Sequence, residues 1–567
     1  MSQQSNQLSG AEAFVRMLQG HGVRHIFGLC GDTTLPLYDA LYRLDHGMKH
    51  ILTRDERSAA YMADVYARVT GKVGVCEGPS GGGATYILPG VVEANESSIP
   101  ILAVTTDISV GARGHYALTE LDQAAMFRPL TKWNTVLDRA EDIPDAIRTA
   151  FRQMTTGRPG AAHIGLPFDV QRGTVDAESV HGDETYGHFP AHPAGPNPDD
   201  VVKAANAILS AEAPMFICGG GPVIAGAEAE LAALAEALEA PVATTISGQG
   251  AISEEHPLGL GVVGSNGGTM PTRAMVDAAD LVVFVGCRAG SVTTERWRHP
   301  ATGVRVVHVD SDPGVIGANY ETEAAIVADA RLALAALGAE IAGRLSETPK
   351  RDRGRAAVAA AKAEKYAAFD ALATSDDTPI RPERLIATLQ ELLPDDAVIV
   401  ADPGTPCPYF SGYYKIRETG RHFISNRAHG ALGYSLSGVL GAHIGRPQAK
   451  CVAVMGDGSF GFTAGEMETL VRMGAPVTLV VISNGVFGWI KAGQRAGFDE
   501  RYFSVDFSVT DHAKVAEAYG VKAWRVAEPA ELKPALSAAL EAGGPTLVDV
   551  LCQPLHEANA PVSEWIS

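Results

Sequence analysis

Residues 452–488 read VAVMGDGSFGFTAGEMETLVRMGAPVTLVVISNGVFG, and this stretch restricts the fold more than any other. A β-branched apolar run at 451–455 stops at Gly456-Asp457-Gly458, an amphipathic segment follows, and a second run at 477–483 stops at Asn484-Gly485. The pattern predicts a strand, a helix and a second strand. Strands connected in this way run parallel, so their C-terminal ends share the sheet edge at which open α/β sheets bind ligands. Asp457 and Asn484 are therefore expected to face one site. Glycine on both sides of Asp457 lets backbone approach a bulky anion, and a carboxylate with an amide oxygen are hard ligands that Mg²⁺ accepts when diphosphate oxygens complete its octahedron.

Asp457 and Asn484 are 27 residues apart. Taken singly, Gly-Asp-Gly and Asn-Gly also suit an ordinary βα turn and an ordinary loop. Together, at this spacing and behind a second strand, they resemble the thiamin-diphosphate enzymes, which keep the same distance between the Asp of their Gly-Asp-Gly turn and a metal-binding Asn. The resemblance implies a Mg²⁺ held by Asp457, Asn484 and the backbone oxygen of Val486. It also implies a cofactor contact along Gly456, Asp457, Gly458 and Ser459.

The length of 567 residues suggests three or four domains. A hydrophobic content of 46% with 61 glycines and 33 prolines suits a loop-rich α/β enzyme, and no apolar run reaches the length of a membrane span. The polar start, MSQQSNQLSG, lacks the basic and apolar regions of a signal peptide, so a cytoplasmic protein is expected. Seven cysteines stand singly, without a CxxC pair, and suggest neither a zinc site nor a disulfide framework. A formal charge of −20 argues against nucleic acid or anionic membrane as partners.

The first domain is expected over 1–185. A helical pattern and a strand at 25–29 end at Cys30-Gly31-Asp32, and a second helix and strand lead to Glu56 at the start of RSAAYMADVYARVTGK. On its own, Glu56 reads as an acid complementing the helix dipole. The segment is similar to the Glu-led helix of acetohydroxyacid (acetolactate) synthase-like enzymes, in which that Glu binds N1′ of the cofactor's aminopyrimidine; Glu56 is accordingly the first catalytic candidate. The next strand runs into PSGGGATYILPG, where the related enzymes read SGPGATN, so Gly82 and Tyr86 depart from the pattern. A further strand ends at Asp107, where the synthases carry Gln, and the segment 159–170 closes the domain.

Residues 181–200 are rich in Pro, His and acids and are expected as a surface connection. A Rossmann-like middle domain follows over 196–345, with strands near 215, 281 and 305 but no proper GxGxxG. Its counterpart in the family holds FAD, ADP or nothing, and Cys287-Arg288-Ala289-Gly290 departs from the flavin-contacting pattern of the synthases. The charged, Ala-rich stretch 346–376 is expected to be a helical linker. The third domain, 378–567, opens with a helix and a strand ending at Asp402-Pro403-Gly404-Thr405, whose backbone and hydroxyl donors suit diphosphate oxygens or simply form a Pro-Gly turn. Leu432 falls where the family places a residue wedged between the cofactor's two rings; read without the family, it is a core residue.

The fold class is thus α/β, with three domains, each a mostly parallel sheet flanked by helices. The resemblance covers the whole chain. It implies a thiamin-diphosphate- and Mg²⁺-dependent enzyme that makes or breaks a C–C bond next to a carbonyl. The foremost reading is decarboxylation of a small 2-oxo acid with acyl transfer to a second carbonyl compound. It also implies a homodimer or homotetramer, because the family's cofactor lies between the first domain of one subunit and the third of another. Two features point instead to a non-oxidative decarboxylase releasing an aldehyde. Leu29-Cys30-Gly31-Asp32 resembles the xPGD of pyruvate decarboxylases, and His115, seven residues before Asp122, falls where those enzymes keep an active-site His. Asp32 and His115 are therefore further catalytic candidates, against the plain readings of a turn Asp and a surface His. The remaining alternative is a cofactor-binding protein without turnover.

Overall fold

The computed structural model describes residues 6–345 and 353–565. Strand β1 (Gln7–Ser9) is followed by β2 (His25–Gly28), β3 (Lys49–Leu52), β4 (Gly74–Gly78), β5 (Ile101–Asp107), β6 (Trp133–Val136) and β7 (Ala162–Pro167). The last six form a sheet in the order β3-β2-β4-β5-β7-β6, and β8 (Thr174–Asp176) returns antiparallel to β1. A middle sheet contains β9 (Pro214–Cys218), β10 (Val242–Thr244), β11 (Gly259–Val262), β12 (Leu281–Val285), β13 (Arg305–Asp310) and β14 (Ala324–Val327), in the order β11-β10-β9-β12-β13-β14. The third holds β15 (Val398–Ala401), β16 (Phe423–Ser425), β17 (Cys451–Gly456), β18 (Val477–Ser483), β19 (Lys522–Val526) and β20 (Thr546–Leu551), in the order β16-β15-β17-β18-β20-β19. Pairing within all three six-stranded sheets is parallel. The cause is visible in the strands: every residue of β5, β9, β12 and β18 is buried, as parallel strands covered by helices on both faces require. Each sheet with its helices is one domain of the three expected.

Packing groups the chain into two compact units. One comprises the described residues up to 192 with 428–447 and 463–473; the other comprises the described residues within 193–427 with 448–462 and those from 474 onward. The first unit contains the N-terminal sheet and is organised around the helix Glu56–Thr70. Asp55 caps that helix by accepting from the Arg57 N–H, and Gly71 ends it in the left-handed conformation, φ 68°. All of its residues except Arg57 and Thr70 are buried. Small residues make such enclosure possible. A Cβ on Gly441, in the helix Tyr434–Gly445, would stand 2.2 Å from the Met62 carbonyl oxygen; one on Gly74 of β4 would stand 2.2 Å from that of Ala63; and one on Gly90, in the helix Leu88–Glu96, would stand 2.4 Å from Ala60 Cβ. Backbone thus meets backbone around the helix that Glu56 begins.

Two expectations need correction, while the expected linker helix is present. The amphipathic segment after Asp457 is a helix Asp457–Thr463, a 3₁₀ turn Ala464–Glu466 and a second helix Met467–Met473 instead of one element, with glycines 458, 461 and 465 in its first half weakening a continuous helix. The connection at 181–200 is partly built into the first unit: Val73 N–H donates to the Gly187 carbonyl (2.9 Å), Phe189 N–H donates to that of Gly71 (3.2 Å), and the Phe189 ring is buried. An apolar ring in a polar segment and two glycines that permit close backbone approach account for this. In the linker the helix runs Gly354–Ala373, while 346–352 lie outside the described residues.

The Gly441 contact gives a direct stability test. Gly441→Val must push the Met62 carbonyl aside and should lower stability by about 1–3 kcal/mol, seen as an earlier first transition in thermal or denaturant unfolding. Gly543→Ala, where no atom lies within 4 Å of the Cβ position, should leave that transition unchanged.

Candidate active site

In the second unit, β15, β17 and β18 are neighbours, so the turns that follow them lie side by side at one sheet edge. Asp457 leaves β17 with only 6% of its surface exposed. Its Oδ2 accepts from the backbone N–H groups of Asn484 (2.7 Å) and Gly485 (2.6 Å), and its Oδ1 accepts from that of Gly458 (2.8 Å). Burial pushes the carboxyl above its usual range and these three amides pull it back. Asn484 is half-buried, and Val486 is buried two residues further on. Asp457 and Asn484 border a cavity of about 290 Å³ that also touches Gly485, Thr510, His512 and Glu557. A buried carboxylate balanced by amide dipoles, an adjacent side-chain amide and a nearby backbone carbonyl form a hard oxygen set into which Mg²⁺ fits chemically.

The flanking residues divide by role. Gly404 holds φ +93° and faces open space at its Cβ position, as does Gly456, so both leave room beside the strand ends. Thr405 is buried at the start of the helix Pro406–Tyr413. Gly458 is small for another reason: a Cβ there would come within 2.7 Å of the Phe487 ring. The Ser459 hydroxyl is committed to Asp402 Oδ2 (2.5 Å), bracing the turn after β17 to the end of β15.

In the first unit, Glu56 is 5% exposed. The glycine-rich loop after β4 closes around it: a Cβ on Gly78 would lie 3.0 Å from Glu56 Cγ, and one on Gly83 would lie 3.1 Å from its Oε1. Burial pushes the Glu56 carboxyl up, its own backbone N–H opposes this, and the neighbouring Asp55 and Glu77 add to the rise. A carboxyl that holds its proton more tightly than usual is suited to sharing that proton with a partner.

The sheet edge of this unit also gathers the second pair of candidates. Thr33 Oγ1 lies 2.7 Å from Thr106 Oγ1 and donates to Ser80 Oγ (3.2 Å), which in turn lies 2.7 Å from Thr119 Oγ1. This hydroxyl chain links the turn carrying Asp32 to the loop carrying His115, and both candidate side chains are exposed. Asp107, at the end of β5, is buried and raised by that burial, with Arg113 3.6 Å away. Leu432 lies in the turn before the helix Tyr434–Gly445 and is half-buried, so it is not the core residue that hydrophobicity alone suggests.

Sequence reasoning missed two buried acids here. Glu466 accepts from the Arg54 N–H (2.7 Å) and the Thr469 hydroxyl (2.7 Å), and burial pushes its pKa up to about 7. Glu77 on β4 accepts from the Tyr38 hydroxyl (2.5 Å) and lies 3.1 Å from His50 Nε2. Its carboxyl occupies the space where Gly28 would carry a side chain. Glu77 could have been found as an acid inside an otherwise apolar strand; Glu466 carries no such signal.

In the middle domain, the Gly219-Gly220-Gly221 turn serves chain packing. A Cβ on Gly219 would lie 2.0 Å from the Gly286 carbonyl oxygen, and one on Gly221 would lie 2.5 Å from Gly286 Cα.

The family models for thiamine pyrophosphate enzymes match three segments: the N-terminal TPP binding domain at 8–126, the central domain at 201–337 and the C-terminal TPP binding domain at 402–550. The chain belongs to the thiamine pyrophosphate enzyme family. Within it, the chain is 34% identical over 564 residues to the probable acetolactate synthase large subunit of Methanocaldococcus jannaschii, covering 96% of this chain and 92% of that one. It is 31% identical over 551 residues to the acetolactate synthase of Arthrospira platensis, covering 96% and 94%. It is thus an acetolactate synthase-like enzyme of that family. Among the described residues no helix is long and apolar enough to cross a membrane.

The amide-held carboxylate predicts the outcome of its removal. Asp457→Ala or Asn484→Ala should weaken Mg²⁺-dependent thiamin-diphosphate binding by at least about 100-fold, since even outer-sphere partners of a metal are worth 10–100-fold. Isothermal calorimetry with and without Mg²⁺ measures this, and wild-type affinity in either variant would place the metal elsewhere.

Proposed function

We propose that the chain decarboxylates a small 2-oxo acid and transfers the acyl fragment to a second carbonyl compound, using thiamin diphosphate and Mg²⁺. The observation that carries this reading is Glu56: a buried carboxyl, pushed above its usual range by burial and wrapped by the Gly78–Gly83 loop, in a chain of the thiamine pyrophosphate family. When bound, thiamin diphosphate supplies a nucleophilic carbon that adds to the carbonyl and an electron sink that makes loss of CO₂ feasible. Glu56 would share its proton with N1′ of the pyrimidine. Asp457, Asn484 and the Val486 carbonyl would hold the Mg²⁺ against the diphosphate, with Gly404, Thr405, Gly456, Gly458 and Ser459 along the same edge and Leu432 against the rings. Two copies would complete each site, as a homodimer or homotetramer. The names of the relatives support acyl transfer over simple release. Free cysteines throughout the described residues suit a reducing, cytoplasmic setting. A flavin spectrum of the purified protein would add FAD to the middle domain, and ADP is checked by extraction; neither is needed for the chemistry proposed.

A second reading, aldehyde-releasing decarboxylation, draws on the exposed Asp32 and His115, whose loops the Thr33-Ser80-Thr119 chain joins. Such groups would deliver a proton to the product. A protein that binds the cofactor without turnover is disfavoured because Glu56, Asp457 and Asn484 are all present.

One panel separates these readings. The holoenzyme is incubated with 2-oxo acids, alone and with aldehyde or 2-oxo acid acceptors, and CO₂, free aldehyde and hydroxyketone products are all quantified. Ligated product should exceed free aldehyde. Aldehyde as the sole product supports the second reading, and no CO₂ from any substrate contradicts both. Asp32→Asn and His115→Gln should shift the ratio of aldehyde to ligated product, with a positioned acid worth about 10²–10⁴-fold on its step; an unchanged ratio in both would remove them from the chemistry.

A further inference from the structure

Behind the turn that follows β18, three side chains form a buried hydrogen-bonded group. Asp549 of β20 is fully buried and His512 is 5% exposed. The Ser483 hydroxyl donates to Asp549 Oδ1, the His512 backbone N–H donates to Asp549 Oδ2 (3.1 Å), and His512 Nδ1 lies 3.0 Å from Ser483 Oγ. A hydroxyl has one proton. Since Ser483 gives it to the carboxylate, it accepts from His512, so the ring's Nδ1 carries a hydrogen. The Arg525 guanidinium, 3.7 Å from Asp549 Oδ2, supplies the nearby positive charge. The backbone of Ser483 is held as well, because its carbonyl accepts from the Cys552 N–H (2.9 Å).

The two residues after Ser483 are the ones whose N–H groups hold Asp457 Oδ2. The imidazole also packs edge-on against Phe460, 5.1 Å between centroids, in the helix that Asp457 begins. His512 therefore touches both sides of the carboxylate's mounting: the turn that donates to it and the helix it starts. We propose that His512, acting through Ser483 and Asp549, is a positioning residue for the Asp457 carboxylate and so sets metal affinity. The inference rests on the assignment of Asp457 as a metal ligand. The group lies outside that ligand set, and none of its three members bears a motif signal. The logic is that of outer-sphere control: a metal ligand is only as well aimed as the hydrogen bonds that orient it.

The test uses the full chain. In His512→Phe the ring contact with Phe460 is kept and the Nδ1–H is lost; in His512→Asn the side-chain amide restores a donor near the Nδ1 position. Ser483→Ala removes the same hydrogen bond with little change of volume and serves if the Phe variant folds poorly. Mn²⁺ binding is read by electron paramagnetic resonance, and Mg²⁺ half-saturation is read from thiamin-diphosphate binding, alongside turnover at saturating Mg²⁺ on a 2-oxo acid selected by the panel. The expected result is a 10–100-fold weaker metal affinity in His512→Phe and Ser483→Ala, turnover at saturating metal within a few-fold of wild type, and recovery of most of the affinity in His512→Asn. Wild-type metal affinity in His512→Phe and Ser483→Ala overturns the proposal, as does equal weakening in the Phe and Asn variants, which would mean packing alone. Asp457→Ala in parallel separates the two levels: lost metal binding there with unchanged His512 variants defeats only the positioning role, whereas retained binding defeats the metal assignment and the inference with it.

Discussion

Burying a carboxyl group is costly, and this protein does so at the first residue of a helix in both of its units. Asp457 is stabilised by three backbone N–H groups, which oppose the upward push of burial. Glu56 has its own N–H and a close wall of glycine backbone. Fixed dipoles of this kind orient a carboxylate without neutralising it. The group stays able to take a metal ion, or to share a proton, in a way that a salt-bridged carboxylate is not. Parallel sheets make the arrangement possible because they deliver several turns, with their amides, to one edge.

The helix behind Glu56 is held with matching firmness. Arg68 donates to Asp64 through Nε (3.0 Å) and to Glu93 through a terminal nitrogen (3.3 Å), the Tyr434 hydroxyl donates to Asp64 (2.5 Å), and Glu93 accepts from the N–H of His429 (2.7 Å). Two buried acids face one guanidinium, and the surplus negative charge is met by a phenol and by amides. Breaking one partner of such a group costs about 3–5 kcal/mol, so the network fixes the helix that Glu56 begins and the turn leading to Leu432 as one piece within the first unit. The glycine contacts at Gly74, Gly90 and Gly441 do the same by shape.

How much of this could be read in the sequence follows from the range of the interactions. The strands were legible because a parallel strand buried on both faces must be a continuous apolar run, and 477–483 became β18 residue for residue. Asp457 and Asn484 were legible because a strand-helix-strand unit places them at one edge. Glu466 and His512 were not, since their partners are chosen by packing and not by local pattern: Arg54 meets Glu466 across more than 400 positions. Ser459 shows the converse. Its place directly after Gly-Asp-Gly suggested a ligand contact, yet its hydroxyl is bound to Asp402, just past the end of β15. In the connection at 181–200, one buried ring, Phe189, outweighed a polar composition.

The central claim is that Glu56 activates bound thiamin diphosphate by sharing a proton with its pyrimidine. Exchange of the thiazolium C2 hydrogen for deuterium, read by quenched-flow NMR on the Mg²⁺-loaded enzyme, reports that step before any substrate is chosen. Wild-type protein should exchange far faster than free cofactor, and Glu56→Gln should keep cofactor affinity while losing most of that acceleration, about 10²–10⁴-fold for a positioned acid–base group. An exchange rate in Glu56→Gln within a few-fold of wild type would contradict the account and leave Glu56 as no more than the first residue of a well-packed helix.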